Sequence, residues 1–261
     1  MRRRAAGLAA AAGAAILGWA APAWALGAPA ARIWLPESAS TVAPEIDRIF
    51  FIVLAITGAV FFLVQITLAW FLIRYRRRPG TPAGYTHGNT VAEIVWTVIP
   101  ALILAWLAFH SQRVWAMIHR LPDAPDLEVE IAAEQFAWNI RYAGPDGALH
   151  TLDDITTINQ LHLPVQRTVL IHLTSKDVIH SFFVPQFRVK RDAVPGMTGR
   201  LWVAPTKAGH FEIACAELCG LGHYRMRGFL VLEPAEAYEA WLRSQMPAAP
   251  PAQAASARRP R

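Results

Sequence analysis

Residues 49–73 read IFFIVLAITGAVFFLVQITLAWFLI, a run of 25 positions without a charge, held between Arg48 and Arg74. At about 1.5 Å of rise per residue, such a run crosses a hydrocarbon layer about 30 Å thick with some tilt, so 49–73 reads as a transmembrane helix. A second run, Ile94–Gln112, offers 19 uncharged positions with Trp96 and Trp106 toward its ends, and 94–112 reads as a second span. The segment between them, residues 74–93, carries Arg74, Arg76, Arg77 and Arg78 and no acid before Glu93. Short basic loops stay on the cytoplasmic side, so this loop is inside, and both flanks, including everything after His110, are outside.

The N-terminus predicts the same topology. Met1–Ala25 has a basic start at Arg2, Arg3 and Arg4, an Ala/Leu-rich stretch, and Ala23-Trp24-Ala25 as a small-x-small cleavage pattern, the features of a secretory signal. A third membrane helix is the rival reading, but the stretch is short, Ala-rich and broken by Pro22. No cysteine lies near the cleavage pattern to carry a lipid. Residues 26–48 are then a periplasmic segment, and the chain is a multi-pass protein of a bacterial-type plasma (inner) membrane. Contact with membrane lipid accounts for a hydrophobic content of 54% and a positive mean hydropathy of +0.27.

The formal charge of +6 is concentrated away from the outer domain. Arginines cluster in the signal, in the loop, and at Arg258, Arg259 and Arg261, whereas Leu121–Glu233 holds thirteen Asp/Glu against ten Lys/Arg. That distribution argues against nucleic acid and suits a basic protein partner, although an ordinary solvated surface has the same balance.

From Leu127 the hydrophobic period shortens: Leu127, Val129 and Ile131 alternate with acids. Phe136–Tyr142, Thr168–Thr174, Gly199–Ala204, Gly209–Ala214 and Gly228–Glu233 follow as short strands, with Gly or Pro near most breaks. With no helix of comparable length between them, residues 120–234 predict a β-sandwich or barrel. Ala235–Gln245 reads as a short helix, and the Pro/Ala-rich tail to Arg261 as disordered.

Between the last two strands lies Cys215-Ala216-Glu217-Leu218-Cys219-Gly220-Leu221-Gly222-His223-Tyr224-Arg225-Met226. Two thiolates, an imidazole and a thioether form a soft ligand set that suits copper rather than magnesium or calcium. A closed tetrahedral zinc site has little use for a weak Met ligand. Gly220 and Gly222 let the loop fold tightly enough for its side chains to converge. Two cysteines in an exported domain ordinarily pair as a disulfide, but a disulfide requires neither His223 nor Met226. A further ligand is available in Val178-Ile179-His180-Ser181-Phe182, where His180 taken alone reads as a satisfied core imidazole.

The pattern C-x-E-x-C-G-x-x-H-x-x-M, preceded by D-V-x-H-S-F-x-V-P at Asp177–Pro185 and K-x-D-x-x-P-G at Lys190–Gly196, resembles cytochrome c oxidase subunit II. The resemblance runs from about Ile49 to Glu233. It implies a two-helix transmembrane hairpin followed by an all-β cupredoxin-like sandwich holding the dinuclear, mixed-valence copper centre called CuA. Cys215 and Cys219 would bridge two coppers, His180 and His223 would bind one each, Met226 would be a weak ligand, and the Glu217 carbonyl another. The Glu217 carboxylate would also ligate magnesium at the boundary with subunit I. Cytochrome c would supply electrons, and haem in subunit I would receive them for oxygen reduction coupled to proton translocation, with subunit III as a further partner. Both cysteines being committed to copper, no C-x-x-C-H haem site exists, so the donor is a separate protein.

Two further positions follow from the same resemblance. Glu93, at the cytoplasmic start of the second span, matches a glutamate at the entrance of a proton path into subunit I; taken alone it is an acid placed favourably at a helix N-terminus. The family's Q-W-x-W patch, whose first tryptophan takes electrons from cytochrome c, is here Gln135-Phe136-Ala137-Trp138. Phe136 thus stands at the electron doorway without an indole N–H, and Trp138 is either its substitute or a core aromatic. A quinol oxidase subunit would share the architecture without the copper ligands. A disulfide-bonded scaffold would need only the cysteines, and nitrous-oxide reductase shares the copper motif without the two helices before it.

Overall fold

Helix α1 spans Ala43–Arg74 and helix α2 spans Thr90–His119 in the computed structural model, which describes residues 35–82, 84–85 and 87–246. The expected signal at 1–25 and the tail beyond Met246 lie outside the described residues. Both helices overrun the uncharged stretches 49–73 and 94–112, because a charge ends a membrane span without ending a helix. Asn89 caps α2 by accepting the Ala92 N–H at 3.1 Å. Along both helices the apolar side chains point away from the rest of the chain: Leu63, Ile66, Leu102 and Phe109 are all exposed. Helices that are apolar all round and unburied require a non-aqueous surrounding.

The start of α1 is tied to the outer domain. Ser40 Oγ donates to the Phe187 carbonyl at 3.0 Å and accepts the Ala43 N–H at 3.3 Å. Ala39 is fully buried, bonded through its N–H to the Gln186 carbonyl and through its own carbonyl to the Thr206 N–H. One turn into the helix, Asp47 takes both arms of the Arg188 guanidinium at 2.7 and 3.0 Å.

That domain is a sandwich of two five-stranded sheets. Strands β1 (Leu127–Glu134), β2 (Ala137–Tyr142), β3 (Ile155–Ile158), β5 (Val169–Ser175) and β8 (Gly199–Val203) form the first sheet, in the order β3-β2-β1-β5-β8. Strands β4 (Gln160–Pro164), β6 (His180–Val184), β7 (Val189–Ala193), β9 (Gly209–Cys215) and β10 (Arg227–Glu233) form the second, in the order β4-β10-β9-β6-β7. Alternation produces the core. Val129, Ile131 and Ala133 of β1 and Trp138, Ile140 and Tyr142 of β2 face inward, while their neighbours stay partly exposed. Helix α3 (Ala235–Gln245) closes the end where β10 finishes, with Tyr238 buried and Trp241 stacked on His162 at 3.9 Å. The opposite end, where β9 finishes and β10 begins, is left to the ligand-bearing loop.

Four strands lack the alternation that the sequence reading relied on. In β6 (HSFFV) both faces are covered, β4 is buried along most of its length, the middle of β7 is the charged Lys190-Arg191-Asp192, and β3 is only four residues long. Such strands are specified by their neighbours rather than by a period of two.

Candidate metal centre

Two adjacent strands set the spacing of the site. Strands β6 and β9 are antiparallel with Phe182 opposite Cys215, and the Ala216 N–H extends the ladder to the Ser181 carbonyl at 2.9 Å. His180 at the head of β6 therefore faces the loop leaving Cys215. The Cys215 N–H bonds the Met226 carbonyl at 3.3 Å, which closes the loop at its base, and a short helical turn at His223–Arg225 brings the imidazole and thioether back inward.

The five side chains converge. Cys215 and Cys219 are free thiols with their sulfurs 3.9 Å apart, well beyond the ~2.05 Å of a disulfide bond. His180 Nδ1 lies 4.0 Å from Cys215 Sγ and 3.1 Å from Met226 Sδ. Cys219 Sγ lies 3.6 Å from His223 Nδ1 and 3.7 Å from Met226 Sδ. The Glu217 carbonyl lies 3.3 Å from Cys215 Sγ, while the Glu217 side chain stays exposed. Donor atoms of His180, Cys215 and Cys219 all fall within 4.8 Å of one another, a grouping that could hold a metal ion. Burial, and then the charge of Cys215, push the Cys219 thiol up to about 11. A cation between the sulfurs would reverse that preference by stabilising thiolates.

A second layer of contacts orients the donors. His180 is fully buried, and its Nε2 meets Asp177 Oδ1 at 2.8 Å, leaving Nδ1 turned toward the sulfurs. Burial alone would raise the Asp177 carboxyl. Hydrogen bonds from His180 and from the N–H groups of Gln135 and Val178 outweigh it and hold the group at about 2. Behind His180, Ser181 Oγ donates to Asp192 at 2.7 Å. The Gln135 side chain donates to the Cys219 carbonyl. Gly220 has φ 137°, and a Cβ there would sit 2.6 Å from Gln135 Nε2; one on Gly222 would sit 2.5 Å from the Phe136 ring. Those two glycines are what let the 135–136 segment lie flat on the loop.

The sequence profile of cytochrome c oxidase subunit II, periplasmic domain, matches residues 132–233, and that of its transmembrane domain matches residues 28–114. A cytochrome c oxidase subunit 2 of Thermostichus vulcanus is 34% identical, covering 80% of this chain and 77% of the relative. The chain belongs to the cytochrome c oxidase subunit II family. An alternative cytochrome c oxidase subunit 2 of Bradyrhizobium diazoefficiens is 35% identical, covering 77% and 80%. The periplasmic domain of subunit II of cytochrome oxidase from Bradyrhizobium japonicum is 26% identical with a TM-score of 0.43, covering 48% of this chain and 96% of that one. As a subunit II the chain is part of a cytochrome c oxidase, an oxidoreductase complex, and its periplasmic domain is anchored by a transmembrane domain.

Within this subunit II the remaining candidate residues separate. Trp138 is fully buried, edge-on to Phe182 at 5.7 Å and to His180 at 6.3 Å between ring centres, so it offers no surface to a docked protein. Phe136 is 37% exposed directly over the loop. Glu93 lies in the first turn of α2, at the end remote from the sandwich, with its carbonyl accepting from Thr97 Oγ1 at 2.8 Å. The supporting roles of Asp177 and Gln135 do not stand out in the sequence: both lie in the motifs quoted above, but only Asp177, an acid three residues ahead of a histidine, carries a local hint of its contact.

Proposed function

We propose that the loop Cys215–Met226 and His180 hold the two-copper CuA centre, and that the subunit accepts electrons from cytochrome c there. The observation that carries this reading is the pair of unlinked sulfurs 3.9 Å apart, flanked by two imidazole nitrogens and a thioether. The donor set fits: soft thiolates and a thioether beside imidazoles select copper over magnesium or calcium. Cys215, Cys219, His180 and His223 would hold the metals, with Met226 and the Glu217 carbonyl as weaker ligands. Bound there, the copper pair would take up one electron at a time and release it to haem in subunit I, where oxygen is reduced and protons are translocated.

The chain's own part is positional. Asp177 fixes the His180 ring, Trp138 and Phe182 exclude water behind it, and the closed base of the loop limits rearrangement when the charge changes. The exposed Glu217 carboxylate would hold magnesium at the boundary with subunit I, and Glu93 would stand at the entrance of a proton path. Subunit III completes the assembly. The four loop arginines and the signal-like pattern of Met1–Ala25 support a periplasmic position for the domain, on a bacterial plasma membrane.

Copper titration of the purified full-length protein tests the centre. Two coppers per chain with a purple mixed-valence absorption are expected, and Cys219→Ser should abolish the colour. One copper per chain, or a colourless complex, would remove the basis of the proposal.

A further inference from the structure

Helix α2 continues past the end of its uncharged run, from Gln112 to His119. At about 1.5 Å per residue that extension rises about 10 Å, through the headgroup layer of a membrane. Two cavities open beside it, where the helix meets strands β7 and β8. One, of about 590 Å³, is lined by Lys190, Arg191 and Arg200 together with Ile118 and His119. The other, of about 660 Å³, is lined by Arg113 and Arg120 together with Met117. Leu121 and Trp202 belong to both walls.

The charge there is one-sided. Among the described residues, Arg113, Arg120, Lys190, Arg191 and Arg200 form no ion pair. Arg188 also lines the first cavity, but Asp47 binds it. Among the described residues Asp123 is the one acid in either wall, and it is exposed. Close by, Asp126 accepts the Thr168 N–H at 2.6 Å and Asp192 accepts from Ser181 Oγ at 2.7 Å. Cations gathered with so little opposing charge favour an anion among them. The Trp202 Nε1–H adds a buried donor without a partner among the described residues, in a setting where buried donors are ordinarily paired.

The other half of the ligand is outlined along α2. Arg113, Ala116, Met117 and Arg120 are spaced by three and four residues, so they share one face of the helix. The same stripe descends through Phe109, Trp106 and Leu102, which are 80%, 52% and 65% exposed. A stripe that is cationic at its top and apolar below matches an amphiphile, whereas a free anion would meet only the upper part.

We propose that this junction binds an anionic phospholipid from the leaflet on the sandwich's side. Its phosphate sits among Arg113, Arg120, Arg191 and Arg200, and its chains lie along Phe109, Trp106 and Leu102. The site shares no residue with the metal loop and does not depend on the copper reading.

The test uses the full-length subunit in a neutral detergent. It is titrated with phosphatidylglycerol, with phosphatidylcholine of the same chains and with inorganic phosphate, and bound lipid per chain is counted by native mass spectrometry. Phosphatidylglycerol is expected to bind at least about tenfold more tightly than phosphatidylcholine, and to lose that margin as salt rises. Arg113→Gln with Arg120→Gln, and separately Arg191→Gln with Arg200→Gln, should each weaken phosphatidylglycerol about tenfold and leave phosphatidylcholine unchanged. These side chains are exposed, so each variant should keep the parent's Tm in the absence of lipid. Lys176→Gln removes a cation from the metal end of the sandwich and should bind phosphatidylglycerol as the parent does. Equal binding of the two lipids, or arginine variants that bind as the parent does, would overturn the proposal. So would an equal loss in Lys176→Gln, which would mean diffuse attraction, or displacement of the lipid by inorganic phosphate, which would make a free anion the ligand. An assembled oxidase that retains no phosphatidylglycerol from membranes containing it would assign these cations to a partner subunit and overturn the proposal as well.

Discussion

Asp177 touches neither thiol, yet it holds the His180 ring at 2.8 Å and is itself held by the N–H groups of Gln135 and Val178. Such a partner keeps the second ring nitrogen free for a metal and raises its basicity. Asp177→Ala should therefore leave the sandwich folded while weakening copper retention by about 10- to 100-fold, measured by competition with a chelator. Retention equal to that of the parent would mean that burial alone orients His180. The proposed copper ligands were largely legible, since four of their side chains fall within Cys215–Met226 and soft donors at that density have few other uses. His180 was legible only through the resemblance, because one buried histidine on a strand is ordinarily a core residue. Gln135 was beyond reach: its contacts to Asp177 and Cys219 span 42 and 84 positions, and nothing local in the sequence joins them.

Among the elements, the long helices, the well-alternating strands and α3 could be read from periodicity, while β3, β4, β6 and β7 could not, being short, doubly covered or charged. The attachment of α1 to the turn after β6 was equally hidden, because Asp47 and Arg188 are 141 positions apart. The Arg188 side chain is only 9% exposed, and Asp47 accepts from two of its N–H groups. Asp47→Ala should lower stability by about 3 kcal/mol, the cost of removing the carboxylate from a largely buried ion pair, read as a lower Tm of the full-length protein with the copper absorption unchanged. A second tie lies at the start of β3. Burial would raise the Asp154 carboxyl, but Arg141 at 2.9 Å, the His150 N–H and Thr151 hold it below the usual carboxylate range. A carboxyl lowered in the folded state stabilises fully above its unfolded value of about 3.9, and that contribution is lost as pH falls through the folded value. Asp154→Asn should then cost about 2 kcal/mol at neutral pH and progressively less below about pH 4, so that the Tm curves of variant and parent converge in acid.

At the scale of the whole molecule, two separated features of the sequence set one orientation. The apolar helices specify no direction, since neither buries a distinct face in the chain: Ala43 is the sole buried residue of α1, and α2 has none. Direction has to come from charge, and Arg74, Arg76, Arg77 and Arg78 supply it in the short segment between the helices. On the copper reading the loop needs the sandwich outside, where an external electron donor can reach the exposed Phe136. A phosphatase reporter that is active only outside the cytoplasm should therefore be active when fused after Gln245 and at least about tenfold less active when fused after Pro79. Replacing Arg76, Arg77 and Arg78 with glutamate should narrow that difference without abolishing it, because a signal at Met1–Ala25 would direct the N-terminus independently. Activity at Pro79 equal to that at Gln245 in the unaltered chain would exclude the orientation, and with it the access of an external donor to the copper loop.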